Sequence, residues 1–215
     1  MTADLTDAVI RLGKLSLQFG RVNRITFHPP DERRPDAGLM PESDTTHTVM
    51  LGLIACAIAD EYVAYLDRGL VAEFALVHDL VEAYAGDMPT LRALGVDQKA
   101  EKKAREHLAY SRIRTEFGLD LPWVGEAIAA YERQELSEAR FVRALDKLLP
   151  KITHIANDCA TLRAQGMGFD ELVARYEAQE RELMVYASDF PVIFELRRAL
   201  VDRVLAQYAT AGVAA

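Results

Sequence analysis

The sequence predicts an all-α fold, and three observations support this prediction. Apolar residues recur at helical spacing along most of the chain, and strand-like alternation is hard to find. The chain has 215 residues, of which 50% are hydrophobic and 27% are charged, and this is enough to bury a full core. No internal repeat, low-complexity segment or linker divides it. We therefore expect a single helical domain over residues 1–215.

Apolar spacing and capping residues predict the helices in chain order. The first begins near Leu5 and stops at Gly20, and Ser43 or Asp44 can cap the second. The predicted helices cover about 5–19, 44–67, 70–86, 96–117, 122–134, 170–187 and 191–208, with another that begins at Ser137.

Prolines predict two interruptions of this helical pattern. Residues 20–42 are polar and contain four prolines, and we expect a long loop there. These prolines are Pro29, Pro30, Pro35 and Pro41. Pro150 falls within the helix that begins at Ser137, and its ring must clash with the carbonyl of Asp146. We expect a kink or a break at that point.

The charge of the chain argues against a nucleic acid polymer as the partner. The formal net charge is -8, whereas binding to a polyanion needs clustered Lys or Arg residues. A small anion that a metal brings in is still compatible with this charge. The sequence has no secretory leader pattern and no apolar run of roughly 18 residues. We therefore expect a soluble, cytoplasmic protein with no membrane partner.

One apolar helix carries polar residues that need an explanation. Between Phe74 and Asp87, aliphatic and aromatic side chains surround His78, Asp79 and Glu82. Glu82 is four residues after His78 and three after Asp79, so a continuous helix puts it on the same side as both. An unpaired carboxylate there is costly, whereas a metal cation satisfies acidic and imidazole groups together. This stretch is the predicted functional site.

Two more polar residues lie on predicted helices with apolar inner faces. They are His47, near the start of the second helix, and Asp146, between core positions of a later one. Either residue by itself is more often a satisfied structural group. With His78 and Asp79 they make two imidazoles and two carboxylates. Such a mixed set suits Mn, Fe, Co, Zn or Mg and leaves positions open for water and substrate.

The ordered combination of these segments resembles the HD-domain phosphohydrolases, and specifically their 5'-deoxynucleotidase branch. The similar segments are Pro41-Glu42-Ser43 ahead of His47, then HDLVEAYAGDMPT, then EARFVRALDKL. The resemblance covers about Leu12 to Ile155. It implies a single HD-domain helical bundle. Because relatives are commonly dimers or larger, we also expect a homo-oligomer.

The resemblance also implies the roles of the site residues. A divalent metal (Mn, Co, Zn, Fe or Mg) is expected on four ligands: His47, His78, Asp79 and Asp146. Glu82 is expected to be the catalytic acid or base, and Asp87 to lie against the substrate. The alternative for Asp87 is a turn-stabilising role after a glycine. A second Mg²⁺ near Glu82 and Asp87 is compatible with this set.

The same resemblance suggests how a nucleotide is held. Arg24, in the loop before His47, matches the position of a phosphate-binding arginine in the branch, and Arg21 is the competing candidate. The expected reaction is hydrolysis of deoxynucleoside 5'-monophosphates to nucleoside and phosphate. Nucleotidases of the branch carry tryptophan after that arginine, however, and here Ile25 stands at that position.

A second departure keeps another substrate open. The branch carries a lysine soon after the turn that Pro89 closes, whereas this chain has Leu91 and Arg92 after Thr90. The alternative substrate is a deoxynucleoside triphosphate such as dATP, cleaved to nucleoside and triphosphate. Three basic residues could receive the extra phosphates unless they form a solvated surface: Arg92, Lys147 and Lys151.

An alternative of another class is a non-catalytic, nucleotide-binding regulatory module. A protein that only binds has no need of Glu82 beside the metal ligands, and this argues for an enzyme.

Overall fold

A computed structural model describes residues 5–31, 33–34 and 38–211 of the chain. Almost all of its regular structure is helical, with two short strands that form one small sheet. The helices are α1 (Leu5–Phe19), α2 (Asp44–Tyr62), α3 (Arg68–Val77), α4 (Glu82–Ala85), α5 (Val96–Phe117), α6 (Trp123–Arg133), α7 (Ser137–Asp146), α8 (Leu149–Ala156), α9 (Ala160–Ala164), α10 (Phe169–Tyr186) and α11 (Pro191–Ala211). The strands are β1 (Asn23–Phe27) and β2 (Pro41–Ser43). The predicted all-α fold is confirmed.

The described residues divide into two compact units. The first contains residues 5–24 and 43–142, and the second contains the described residues of 25–42 and 143–211. The expectation of one domain over the whole chain stays a prediction. None of the described helices is long and apolar enough to span a membrane.

The first unit is built around α2 and α3. These helices pack on each other, α3 and α5 pack on α6, and the short α4 packs on α1 and α5. Leu51, Phe74, Ile113 and Phe117 are fully buried in this unit. Burial of such side chains stabilises each by roughly 1.5–3 kcal/mol. This core supports both ends of the segment that joins α3 to α4.

In the second unit, α11 packs on α8 and α10, and α9 packs on α8. Leu149, Leu162 and Phe190 are fully buried there. Arg197 is buried as well, and its guanidinium donates to a carboxylate oxygen of Glu180 at 2.7 Å and to the carbonyl of Tyr176. The buried charge is therefore compensated by an ion pair and a backbone acceptor.

The prediction of a long loop over residues 20–42 is wrong in part. The segment contains β1 and the start of β2, and the backbone N–H of His28 donates to the carbonyl of Met40 at 2.8 Å. Ile25, Thr26 and Phe27 are residues with high strand propensity, which explains β1. The part of the predicted loop at residues 32 and 35–37, which includes Pro35, lies outside the described residues.

The prediction of one continuous helix over about 70–86 is also wrong. α3 ends at Val77 and α4 begins at Glu82. The backbone N–H groups of Leu80 and Glu82 donate three residues back, to Val77 and Asp79, at 3.1 and 2.8 Å. This tighter spacing rotates the following residues away from their helical positions. The positions of His78, Asp79 and Glu82 therefore follow from a turn and not from helical periodicity.

Other boundaries agree more closely with the sequence. The structure confirms the limits predicted for α1 and α5, and the break before Pro150, because α7 ends at Asp146 and Pro150 lies in the first turn of α8. α2 ends at Tyr62, earlier than predicted, and the short α9 has no counterpart among the predicted helices.

Candidate metal centre

Three of the predicted metal ligands lie together in the first unit. Each of His47, His78 and Asp79 offers one donor atom, and these atoms lie within 4.8 Å of one another. His47 is in the first turn of α2, and His78 and Asp79 follow directly after α3. The packing of α2 on α3 brings the two histidines together, with ring centroids 5.5 Å apart. Both histidines are buried, whereas Asp79 is half-buried.

The backbone fixes the tautomer of His78. Its Nδ1 lies 2.8 Å from the carbonyl oxygen of Ala75, and since a carbonyl only accepts, Nδ1 carries the proton. Nε2 then has the lone pair, and it lies 3.1 Å from Oδ2 of Asp79. A carbonyl that holds the distal ring nitrogen is the usual arrangement behind a metal-binding histidine.

Three carboxylates lie close together at this metal centre. Oxygen atoms of Asp44, Asp79 and Glu82 lie within 4.8 Å of one another, and Asp44 and Glu82 are buried. Burial, followed by the charges of Asp79, Asp87 and Asp44, raises the pKa of Glu82 to about 10. Burial raises the pKa of Asp44 to about 6, although the nearby charge of Arg24 opposes this. Like charges held this close favour a bound cation or a proton.

Glu82 has the features of a proton carrier. Its Oε1 lies 3.6 Å from Nζ of Lys102, which α5 supplies. Its Oε2 is buried and has no hydrogen-bond partner among the residues that the structure describes. A buried carboxyl with a raised pKa can hold or release a proton during a reaction.

Asp87 is half-buried and follows Gly86 at the end of α4. Gly86 has a φ of 72°, a backbone conformation that residues other than glycine rarely adopt. Burial raises the pKa of Asp87, while the charge of Arg24 lowers it. The structure thus places Asp87 within the electrostatic influence of Arg24 and Asp79.

Among the predicted phosphate-binding residues, Arg24 lies at this centre. Its Nη1 donates to Oδ2 of Asp79 at 2.8 Å and to Oδ1 of Asp44 at 3.1 Å. Arg21 and Arg92 are exposed. Of the two arginines that the sequence offered for this role, Arg24 contacts the carboxylates of the centre, and its phosphate-binding role stays a prediction.

Asp146 and Lys147 lie in the second unit. Asp146 is the buried last residue of α7, and Lys147, which is 41% exposed at its side chain, pairs with it at 2.7 Å. The role of Asp146 as a fourth ligand stays a prediction that rests on the resemblance.

Lys151 does not fit its predicted role in phosphate binding. It is fully buried in the second unit, where its Nζ donates to Oε1 of Gln179 and to the carbonyl of Lys147, and lies 4.9 Å from the ring centre of Tyr176. Burial, followed by the charge of Arg197, lowers the pKa of Lys151 well below its usual range. The sequence offered Lys151 as a phosphate-binding residue or a solvated surface residue, but α8 turns this side chain into the core.

Sequence reasoning missed two residues of the centre. Asp44 was considered only as a helix cap, but Ser43 takes that role by accepting from the backbone N–H of Thr46 at 3.2 Å. Asp44 then turns inward. Lys102 was part of a charged helix with a weak apolar face, and nothing in its spacing distinguished it from exposed neighbours such as Lys103.

The donors of this centre fit a divalent cation. His47 and His78 supply nitrogen, Asp79 supplies oxygen, and a tautomer-fixing bond lies behind His78. Mixed N/O sets of this kind bind Mn, Fe, Co or Zn, and carboxylates alone bind Mg. Burial and then the neighbouring carboxylates raise the pKa of Glu82, and a cation would offset the negative charge of those carboxylates.

Comparison with known proteins gives relatives in sequence. Human 5'-deoxynucleotidase HDDC2 is 32% identical over 108 residues, which cover 50% of each chain. The Xenopus laevis 5'-deoxynucleotidase HDDC2 is 30% identical over 112 residues, which cover 50% of this chain and 51% of the relative. This chain thus matches about half the length of these curated relatives.

Solved structures give the same fold at lower identity. A predicted metal-dependent phosphohydrolase from Magnetospirillum magnetotacticum has a TM-score of 0.67 and is 21% identical in sequence. The match covers 94% of this chain and 96% of the Magnetospirillum chain. A conserved hypothetical protein from Pyrococcus furiosus has a TM-score of 0.54 and 22% identity, covering 88% and 99% respectively. The sequence model of the HD domain matches residues 32–185. That match extends over well more than half of the chain, and the chain therefore belongs to the HD domain family.

Proposed function

We propose that the protein is a metal-dependent phosphohydrolase that acts on deoxynucleotides. The observation that carries this proposal is the grouping of His47, His78 and Asp79 beside the buried Glu82. A nitrogen and oxygen donor set next to a proton carrier is what metal-assisted hydrolysis requires. The substrate class is supported by the sequence similarity to 5'-deoxynucleotidases.

The proposed metal ligands are His47, His78, Asp79 and Asp146. Support for Asp146 comes from its segment EARFVRALDKL and from its burial next to Lys147. When bound, the metal activates water near neutral pH and polarises a phosphoryl oxygen. A second Mg²⁺ near Glu82 and Asp87 is part of the proposal, and metal analysis of the purified protein would give one or two ions per chain.

The proposed roles of the other residues follow from their environments. Glu82 would be ionised once a metal cation offsets the neighbouring carboxylates, and its raised pKa would make it a strong base. It would then take the proton of the attacking water and return it to the departing 5'-oxygen. Arg24 would bind the phosphate through its guanidinium. Asp87, half-buried near Arg24, would accept a hydrogen bond from a sugar hydroxyl.

Deoxynucleoside 5'-monophosphates are the first proposed substrates, and deoxynucleoside triphosphates are the second. The relatives favour the monophosphates. The exposed Arg92 and the partly exposed Lys147 keep the triphosphates open, since both could meet additional phosphates. In both reactions the nucleoside 5'-oxygen leaves the α-phosphorus, so one set of catalytic residues serves either substrate.

Chromatography of the products from dAMP and dATP decides between the two substrates. We expect deoxyadenosine and phosphate from dAMP. Triphosphate that accumulates from dATP while dAMP stays intact would replace the first proposal with the second. Tight binding of either nucleotide without any product would instead favour a regulatory module.

We also propose a homo-oligomer that forms through the outer face of α2. Residues 49–59 carry no charged, amide or hydroxyl side chain, and Val49 and Leu53 are 54% and 70% exposed. A helix that is apolar all round is normally covered on both sides. Light scattering should give a dimer or larger for the wild type and a smaller mass for Leu53→Glu. Leu119→Glu, at an exposed site outside α2, is the matched control. A wild-type monomer would contradict this proposal.

A further inference from the structure

Asp44 is a fully buried carboxylate that lies next to Arg24 in the first unit. Its Oδ1 accepts from Nη1 of Arg24 at 3.1 Å, and its backbone N–H donates to the carbonyl of Val22 at 3.1 Å. Asp44 therefore holds the segment before β1 by its backbone and Arg24 by its side chain. The same Nη1 also donates to Asp79.

Two ordinary roles of an aspartate at this position do not explain the burial. The cap of α2 is provided by Ser43. A carboxylate that only balances the helix dipole would gain its small stabilisation while exposed to solvent, without the cost of burial. Asp44 has 0% exposure, and its Oδ2 has no hydrogen-bond partner among the residues that the structure describes. Burying this carboxylate costs free energy, and neither helix capping nor the helix dipole explains why Asp44 is buried here.

Resting on the proposed function, we propose that Asp44 is a positioning residue that holds the guanidinium of Arg24 in place for the substrate phosphate. Arg24 donates from Nη1 to both carboxylates. If Asp79 turned to a metal, the hydrogen bond between Arg24 and Asp44 would still hold the guanidinium in position. A guanidinium held in this way would bind a phosphate with little further loss of side-chain freedom.

Metal-loaded protein is tested with Asp44→Asn and with Asp44→Ser as a second variant. Inorganic phosphate is the ligand in a calorimetric titration, and metal content is measured alongside. We expect both variants to keep the metal and to bind phosphate on the order of tenfold more weakly, the loss associated with one hydrogen bond to a charged group. KM for dAMP should rise more than kcat falls. Asp60→Asn changes an exposed aspartate of the same helix, paired with Arg68, and should leave both quantities unchanged.

A double-mutant cycle isolates the coupling. Arg24→Gln should weaken phosphate binding, and Asp44→Asn should add little in the Arg24→Gln background because the group it positions is gone. Fully additive losses would overturn the inference. Unchanged phosphate affinity in Asp44→Asn would overturn it too. Loss of metal in the Asp44 variants would also overturn it and make Asp44 part of the metal site.

The guanidinium of Arg24 also gives a readout that is independent of any activity. Nitrogen-15 NMR should resolve separate Nη signals for Arg24 in the wild type and averaged signals in Asp44→Asn. If the wild-type protein bound no phosphate and hydrolysed no nucleotide, the proposed function would fail. The NMR comparison would still decide whether Asp44 holds Arg24: separate signals that persist in Asp44→Asn would refute it.

Discussion

His78 donates a hydrogen bond from Nδ1 to the carbonyl oxygen of Ala75, 2.8 Å away, at the point where α3 ends. The bond leaves Nε2 as the acceptor nitrogen, 3.1 Å from Oδ2 of Asp79. The end of the helix thus helps to orient the imidazole through a backbone acceptor. The geometry of the proposed metal site depends on this turn, because it also places Asp79.

The first prediction concerns the metal ligands. His78→Ala and Asp79→Ala should each lose the bound metal and the activity, because each variant removes one donor of a small set and leaves the remaining carboxylates crowded. Metal content of the purified variants measures this directly. Asp60→Asn serves as the folded control. A folded His78→Ala protein with its full metal content would rule out His78 as a ligand.

The second prediction separates proton transfer from metal binding. Glu82→Gln keeps the size and removes the titrating group, so it should reduce kcat by about 10²-fold or more while the protein keeps its metal. Turnover and metal content are measured on the same preparation. If the metal disappears together with the activity, Glu82 is a ligand and not the proton carrier.

The third prediction is a pH dependence of stability from the second unit. Burial, followed by the nearby charge of Lys151, lowers the pKa of His154 from 6.5 to about 4. Between these values the unfolded chain binds a proton that the folded chain does not, so the free energy of unfolding falls as the pH falls from about 6.5 to 4. The loss amounts to roughly 1.4 kcal/mol per pH unit at most.

Urea denaturation of the wild type and of His154→Gln across this pH range checks the assignment. The variant carries no titrating imidazole and should show a shallower decline below pH 6.5. Parallel declines in the two proteins would assign the acid sensitivity to other groups.

The fourth prediction follows from the burial of Lys151. Because its amine bonds to Gln179 and the Lys147 carbonyl, Lys151→Met should leave KM for the nucleotide within about twofold of the wild type. Lys147→Met is the matched comparison, since this amine is partly exposed beside Asp146. A large rise of KM in Lys151→Met at unchanged stability would restore Lys151 as a phosphate-binding residue.

Much of the fold could be predicted because it depends on local signals. Apolar spacing predicted α1, and Pro150 predicted the break between α7 and α8. The strands were missed because both are short and the prolines of residues 20–42 favoured a loop, although Ile25, Thr26 and Phe27 have high strand propensity. The turn after Val77 was missed because its residues are equally compatible with a helix.

The site itself was predictable in part for a related reason. Polar residues within apolar helices directed attention to His47, His78, Asp79 and Glu82. Asp44 and Lys102 come close to Glu82 or Asp79 only through tertiary packing, and an isolated aspartate at a helix start has an ordinary explanation. The burial of Lys151 depends on how α8 packs, which its own segment does not specify.

The most direct test of the central claim is product release from deoxynucleotides with and without metal. Wild-type protein is stripped with a chelator, reloaded with Mn²⁺, Co²⁺ or Mg²⁺ and incubated with dAMP and dATP. The account predicts phosphate or triphosphate from the reloaded protein, none from the stripped protein, and none from reloaded His78→Ala. Equal product from stripped and reloaded protein, or nucleotide binding with no product under any metal, would contradict it.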